Sequence, residues 1–221
     1  PIFIALTLAY GLSHWFARPE HLLVGAMASL AAVALFVCTG MIYACIRFLR
    51  EWATPLTPIN FTLLGCASGF TLAALLAAMT APQLLRFFLL GAVVFTVAAW
   101  VGRLVAWRRN ARLVPKSTLQ TAIGIKHAHI EQKSQGFMGG SFNTREFFHG
   151  RSAAMLLTLR WVCLVGAFGV PLLLLVAGLS NASVVLLSIA CAVQYAGLLA
   201  ERWLFFAEAN HPQNLYYQRM A

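Results

Sequence analysis

Charge is what this chain has least of. Asp, Glu, Lys and Arg together make up 10% of its 221 residues, against roughly a quarter in a soluble domain. That shortage excludes an ordinary soluble enzyme. The five cysteines (Cys38, Cys45, Cys66, Cys163 and Cys191) all sit inside apolar runs, and no CxxC occurs. They read as small thiols in helix packing, so no iron–sulfur cluster is expected on the chain itself and no metal site is assigned. No methionine, basic segment or cleavage site precedes the first apolar run, which starts beside Pro1. It does not look like a secretory signal, and the expectation is that part of a longer protein precedes it. Internal repeats are lacking too, and Pro171 is the one proline inside a long apolar run.

Hydrophobic residues make up 61% of the chain. They gather in runs at residues 2–17, 22–48, 60–79, 84–107, 153–177 and 183–209. About twenty apolar residues cross the hydrocarbon core of a bilayer, and a helix satisfies its own backbone hydrogen bonds there. The fold class is therefore all-α, a polytopic transmembrane helix bundle with six spans. Residues 1–107 form four helices, 108–152 a basic loop, and 153–221 two further helices with a short tail. Thr54-Pro55-Leu56-Thr57-Pro58 interrupts the helix between the second and third runs, because each proline disfavours helix in the residue before it.

The net charge of +10 reads as topology rather than as a nucleic-acid surface, since Lys and Arg collect at span ends and in one loop. One side receives Arg47, Arg50, the loop and Arg219; the other is nearly uncharged. The positive-inside rule then puts the loop and the C-terminus in the cytoplasm. Trp15, Trp52 and Trp107 lie near span ends, as headgroup anchors do. Gly65 and Gly69 give one helix a face of small residues for close packing.

Polar residues inside spans need partners or roles. Arg103, one turn before Trp107, is placed to snorkel to the interface. Arg160 lies two turns into the fifth run, and the sixth carries Gln194, Tyr195, Glu201, Arg202 and Glu208. Gln194, Glu201 and Glu208 recur every seven residues on one helical face, with Tyr195 and Arg202 on the face beside it. Two readings stay open. One is an interhelical ion pair, for instance Glu201 with Arg160. The other is a pocket wall for a polar-headed, apolar-tailed ligand such as a quinone, whose chemistry needs a titratable neighbour. His14, His21, His149 and His211 lie near span ends, and no histidine pair sits deep in two spans. A b-type haem is therefore disfavoured.

In the loop, His127, His129 and Glu131 are too sparse for a metal site. Ser117-Thr118-Leu119-Gln120 matches a capping box that starts a short surface helix through Ile125. Residues 136–150 combine glycines with Phe137, Met138, Phe142, Arg145, Glu146, Phe148 and His149. So many apolar groups in a polar loop mark a docking surface for another protein.

Four stretches carry a family likeness: Cys38-Thr39-Gly40-Met41-Ile42-Tyr43-Ala44, the Pro55-Leu56-Thr57-Pro58 link with Ile59 to Gly65, the loop from Gly136 to His149, and Glu201-Arg202-Trp203-Leu204-Phe205-Phe206 onward to Asn214. In them the chain resembles the membrane-anchor subunits of the dimethyl sulfoxide reductase family, above all those that accompany cytoplasmic sulfite dehydrogenases. The resemblance implies an eight-helix anchor in the bacterial inner membrane, of which six spans lie here. It further implies an iron–sulfur partner with [4Fe–4S] clusters, a catalytic partner with molybdopterin, and electron exchange with ubiquinone or menaquinone. Arg202 matches a last-helix position of the family, whereas Leu198 stands where a glutamate is common. Arg160, Gln194, Tyr195, Glu201 and Arg202 are the quinone-site candidates. The function expected is transfer of electrons, from sulfite, to quinone. The alternatives are a menaquinol-oxidising anchor running the other way and, in a different class, a membrane transporter.

Overall fold

The computed structural model describes residues 1–114, 117–131, 133, 141–142, 146–147, 152–181 and 183–216. Among these the fold is entirely helical. The first helices are α1 (Ile2–Trp15), α2 (His21–Ala44), α3 (Leu56–Thr80) and α4 (Pro82–Asn110), followed by the short α5 (Leu119–Ile123). The fifth apolar run forms α6 (Ala153–Val162), a π-helical segment (Cys163–Gly169) and α7 (Val170–Ser180). The sixth forms α8 (Val184–Ala207), and α9 (Gln213–Tyr216) caps the end.

Five of these helices are long and apolar enough to cross a membrane, and the protein is a multi-pass membrane protein. α1, at the start of the sequence, is a shorter apolar helix of 14 residues. The structure otherwise follows the apolar runs. Lipid-facing side chains such as Leu30, Val94 and Leu173 stay exposed on the outside of the bundle, where hydrocarbon rather than water surrounds them.

The π segment has a local cause. Pro171 has no N–H, and its ring crowds the carbonyl four residues back. Just before it, the Val170 N–H bonds to the Val165 carbonyl, widening the turn by one residue. The widened turn lies against α8. There a Cβ on Gly197 would collide with the backbone of Gly166 and Ala167, so only glycine permits this crossing. Of the two glycines expected to make close contacts, Gly65 faces the Phe36 ring of α2, whereas Gly69 has nothing within 4 Å.

α3 and α4 pack along their lengths, α8 packs on α3, the π segment and α7, and α2 lies on α3 with α1 outside it. Three apolar clusters fill the interior. One, around Leu64, Ala99, Cys163, Phe168 and Leu204, sits at mid-bundle. A second, around Leu89, Leu175 and Leu187, lies toward the sparsely charged end. The third surrounds Leu49, Trp52 and Phe205 at the basic end. Trp52 is 5% exposed and its indole donates to the Phe205 carbonyl at 3.0 Å. It is a core residue rather than the headgroup anchor its position in the sequence indicates. Cys38 and Cys45, expected to be buried, are exposed.

The loop helix starts one residue later than expected. Thr118 is the N-cap and Thr121 completes the capping box, with Gly124 at φ 73° ending the helix. Gly124 supplies the left-handed conformation that a side chain would disfavour.

Candidate functional site

The ends of α4 and α8 and the α2–α3 link meet at the basic end of the bundle. α8 directs Glu201 inward one turn after the Gly197 crossing, away from the lipid that a carboxylate in a span cannot cheaply face. It is fully buried. Its Oε1 lies 3.3 Å from Nη1 of Arg103, and its Oε2 2.5 Å from Nη2 of Arg202. Arg103 reaches on to Glu208 at 3.5 Å, and Arg160 binds the other oxygen of Glu208 at 3.1 Å. The Trp107 indole donates to Glu208 at 2.9 Å. The charges thus alternate along Arg202, Glu201, Arg103, Glu208 and Arg160. Three arginines against two glutamates leave one positive charge in excess.

Aromatic rings enclose this row. The Arg202 guanidinium lies 4.1 Å above the Phe61 ring and 4.9 Å from that of Phe205, and Arg103 is 4.9 Å from Trp107. Such cation–π contacts replace part of the lost hydration. The Trp52 and Phe205 rings stack at 5.0 Å, and Tyr43 packs edge-on against both.

A cleft opens beside the row, lined by Glu51, Trp52, Asn60, Phe61, Arg103, Arg202, Phe205 and Glu208 among others. The enclosed chamber of this cleft has a volume of about 20 Å³. The chamber itself holds a water and not a ring. Asn60 donates to the Gly102 carbonyl at 3.2 Å and joins α3 to α4 under the cleft. Burial pushes the Glu51 carboxyl above the ordinary carboxylate range, against a smaller opposing pull from nearby backbone N–H groups, Arg109 and Arg50. His211, in the turn after α8, is held below the usual histidine range, also by burial.

The structure gathers only some of the residues singled out from the sequence. Glu201 and Arg202 are central, and Arg160 sits at the edge with about half of its side chain exposed. Glu201 pairs with Arg103, and Arg160 with Glu208, so the anticipated Glu201–Arg160 pair is corrected. Arg103 does not snorkel; at 4% exposure it is the middle of the row. Gln194 is buried well below the cleft and donates to Thr96 at 3.2 Å, a tie between α8 and α4. Tyr195, 65% exposed, points away from the cluster. Sequence reasoning misses Glu51, Asn60 and Trp107 as site residues, since each stands on a different element from the polar stripe of α8.

Of the docking candidates, Phe137, Met138, Arg145, Phe148 and His149 lie outside the described residues. Glu146 is exposed. Phe142 is half-buried. Its ring packs inward, 6.1 Å from Trp52, because the aromatic cluster offers it a dry surface. Ser141, beside it, is buried and donates to Asn214 at 2.7 Å, and Phe147 packs on Trp203 at 5.4 Å. Among the described loop residues, Ser141, Phe142 and Phe147 thus contact the end of the bundle beside the aromatic cluster.

A family model described as DMSO reductase anchor subunit (DmsC) matches residues 3–207. A sulfite dehydrogenase subunit of Allochromatium vinosum is 53% identical, across all of this chain and 72% of that protein's length. No solved structure matches the chain. An all-helical membrane bundle, matched over nearly its whole length, belongs to the DMSO reductase anchor subunit family.

Proposed function

We propose that this chain is the quinone-reactive anchor of a membrane oxidoreductase, passing electrons between an iron–sulfur partner and membrane quinone. The observation that carries this reading is the buried row Arg202–Glu201–Arg103–Glu208, which opens through an aromatic-walled cleft at the basic end of the bundle. Buried charges of this kind in a membrane helix bundle ordinarily mark a ligand or proton path. The chemistry of the lining suits a quinone headgroup at the entrance of the cleft: Phe61, Trp52 and Phe205 supply aromatic walls, and the arginines are hydrogen-bond donors for carbonyl oxygens. Quinone, the substrate here, accepts two electrons and two protons and leaves as quinol.

The electrons come, in this reading, from [4Fe–4S] clusters in one partner subunit and a molybdopterin-bearing catalytic subunit beyond it. The name of the 53%-identical relative, a sulfite dehydrogenase subunit, supports sulfite as their source. Lys and Arg concentrate at the end of the bundle where the cleft opens, which favours a cytoplasmic face there, in a bacterial inner membrane. Membership in the anchor family leaves the transporter reading without support. A menaquinol-oxidising complex would use the same site in reverse.

The test is purification of the tagged protein from its native host in mild detergent, with metal analysis and a sulfite:quinone assay. Co-purified molybdenum and iron, with sulfite-dependent quinone reduction, are the expected result. An intact preparation lacking both metals would contradict it.

A further inference from the structure

We propose that Glu51 is the proton-exchanging carboxyl of the quinone site, carrying protons between the cleft and the water at the basic end of the bundle. This deepens the quinone function proposed above and rests on it. Glu51 stands on the α2–α3 link, outside the spans, and lines the cleft together with Arg103, Arg202 and Glu208. It is half-buried, on the link at the basic end of the bundle.

The other two carboxylates near the cleft are committed to ion pairs, Glu201 with Arg103 and Arg202, Glu208 with Arg103 and Arg160. Glu51 has no ion pair among the described residues. Its neighbouring arginines are occupied elsewhere. Arg109 donates to the Arg50 carbonyl at 2.7 Å and to Asn110 at 2.9 Å, and Arg50 donates to the Val114 carbonyl. The charged groups around Glu51 are therefore Arg50 on its own link, Arg103 and Arg109 on α4, and Arg202 and Glu208 from α8 and its end. Burial outweighs their pull and favours its protonated form. A general acid must be able to give up and regain its proton, and Glu51 is the cleft carboxyl without an ion pair among the described residues. The water-sized chamber beside Arg103 leaves room for one bridging water.

The chemistry balances. As two electrons arrive from the reduced iron–sulfur partner, the Glu51 O–H gives its proton to one quinone carbonyl oxygen, which becomes a hydroxyl. The resulting carboxylate takes a proton from water at the bundle end and repeats the transfer to the second oxygen. One quinone, two electrons and two protons give one quinol.

The test uses the intact complex carrying Glu51→Gln or Glu51→Asp. Sulfite-driven quinone reduction is followed across pH beside reduction of a dye that takes electrons directly from the iron–sulfur subunit. Glu51→Gln should lower quinone reduction about a hundredfold or more, in the usual 10²–10⁴ range for general acid catalysis, with the dye rate unchanged. Added formic acid or hydrazoic acid should restore part of the loss, and Glu51→Asp should keep activity with a shifted pH profile. Normal quinone reduction in Glu51→Gln at every pH would overturn this assignment alone. Equal loss of dye and quinone rates would overturn it in favour of a structural role. A wild-type complex that reduces the dye but no quinone would overturn the proposed function and this assignment together.

Discussion

Arg103 of α4 and Glu201 of α8 face each other at 3.3 Å with 5% and 0% of their side chains exposed. Neither reaches water, so each depends on the other and on its second partner, Glu208 for Arg103 and Arg202 for Glu201. Breaking a buried pair by removing one member typically costs about 3–5 kcal/mol, whereas replacing both by well-packed apolar groups is often close to neutral. Arg103→Met should therefore lower the thermal stability of the detergent-solubilised protein sharply. The double variant Arg103→Met/Glu201→Met should be more stable than the sum of the two single changes allows. Additive losses, measured by thermal unfolding of all three variants, would argue against coupling.

Arg160 closes the row from outside, with 53% of its side chain exposed. Screening by the headgroup region makes an exposed pair worth less than about 1 kcal/mol. Arg160→Ala should consequently destabilise far less than Arg103→Met in the same unfolding assay, despite the similar ion-pair distances.

The Gly197 crossing offers a steric test. A methyl there meets backbone atoms of Gly166 and Ala167, which cannot swing aside, while at Gly69 it meets nothing within 4 Å. Overpacking a filled interior costs about 1–3 kcal/mol or more. Gly197→Ala should reduce the yield of folded protein on size-exclusion chromatography, and Gly69→Ala should leave it unchanged.

Two groups outside the spans should shape the pH dependence of stability. Glu51 has its folded-state pKa raised above 4.5. The folded form therefore binds the proton more tightly than the unfolded chain does, and this contribution is full below the ordinary carboxylate range and fades as pH rises through the higher folded value. His211 has its pKa lowered from 6.5. Its contribution is present above 6.5 and is lost as pH falls through the lower folded value, because the unfolded chain takes the proton first. Glu51→Gln and His211→Gln should each remove one of these slopes from a plot of unfolding temperature against pH. An unchanged profile would contradict the burial seen at that residue.

Much of this is legible in the sequence, and the shortfalls have physical causes. Apolar runs locate the long helices because length and composition alone decide membrane crossing. The seven-residue spacing of Gln194, Glu201 and Glu208 puts them on one face of α8, and Gln194 and Glu201 are indeed buried. Spacing along one helix says nothing about which neighbour it meets, so Arg160 is as plausible a partner for Glu201 as Arg103 until the helices are packed. Tyr195 follows the same periodicity beside Arg202, yet α8 turns that residue outward at its level of the bundle. Trp52 resembles an interface anchor because a link residue beside a span usually is one; the rings of Tyr43, Phe142, Phe205 and Phe206 pack around it instead. Pro171 is visible in the sequence, but its consequence is not. The π turn before it puts Gly166 and Ala167 against Gly197 of α8.

The most direct measurement is covalent labelling of the intact complex with a photoreactive azidoquinone, followed by mapping of the modified peptides. The account predicts label on the α2–α3 link and the start of α3, around Trp52 and Phe61, and on α8 around Arg202 and Phe205, suppressed by excess unmodified quinone. Specific label confined to peptides remote from these segments would contradict the placement of the quinone site at the Arg103–Glu201 end of the bundle.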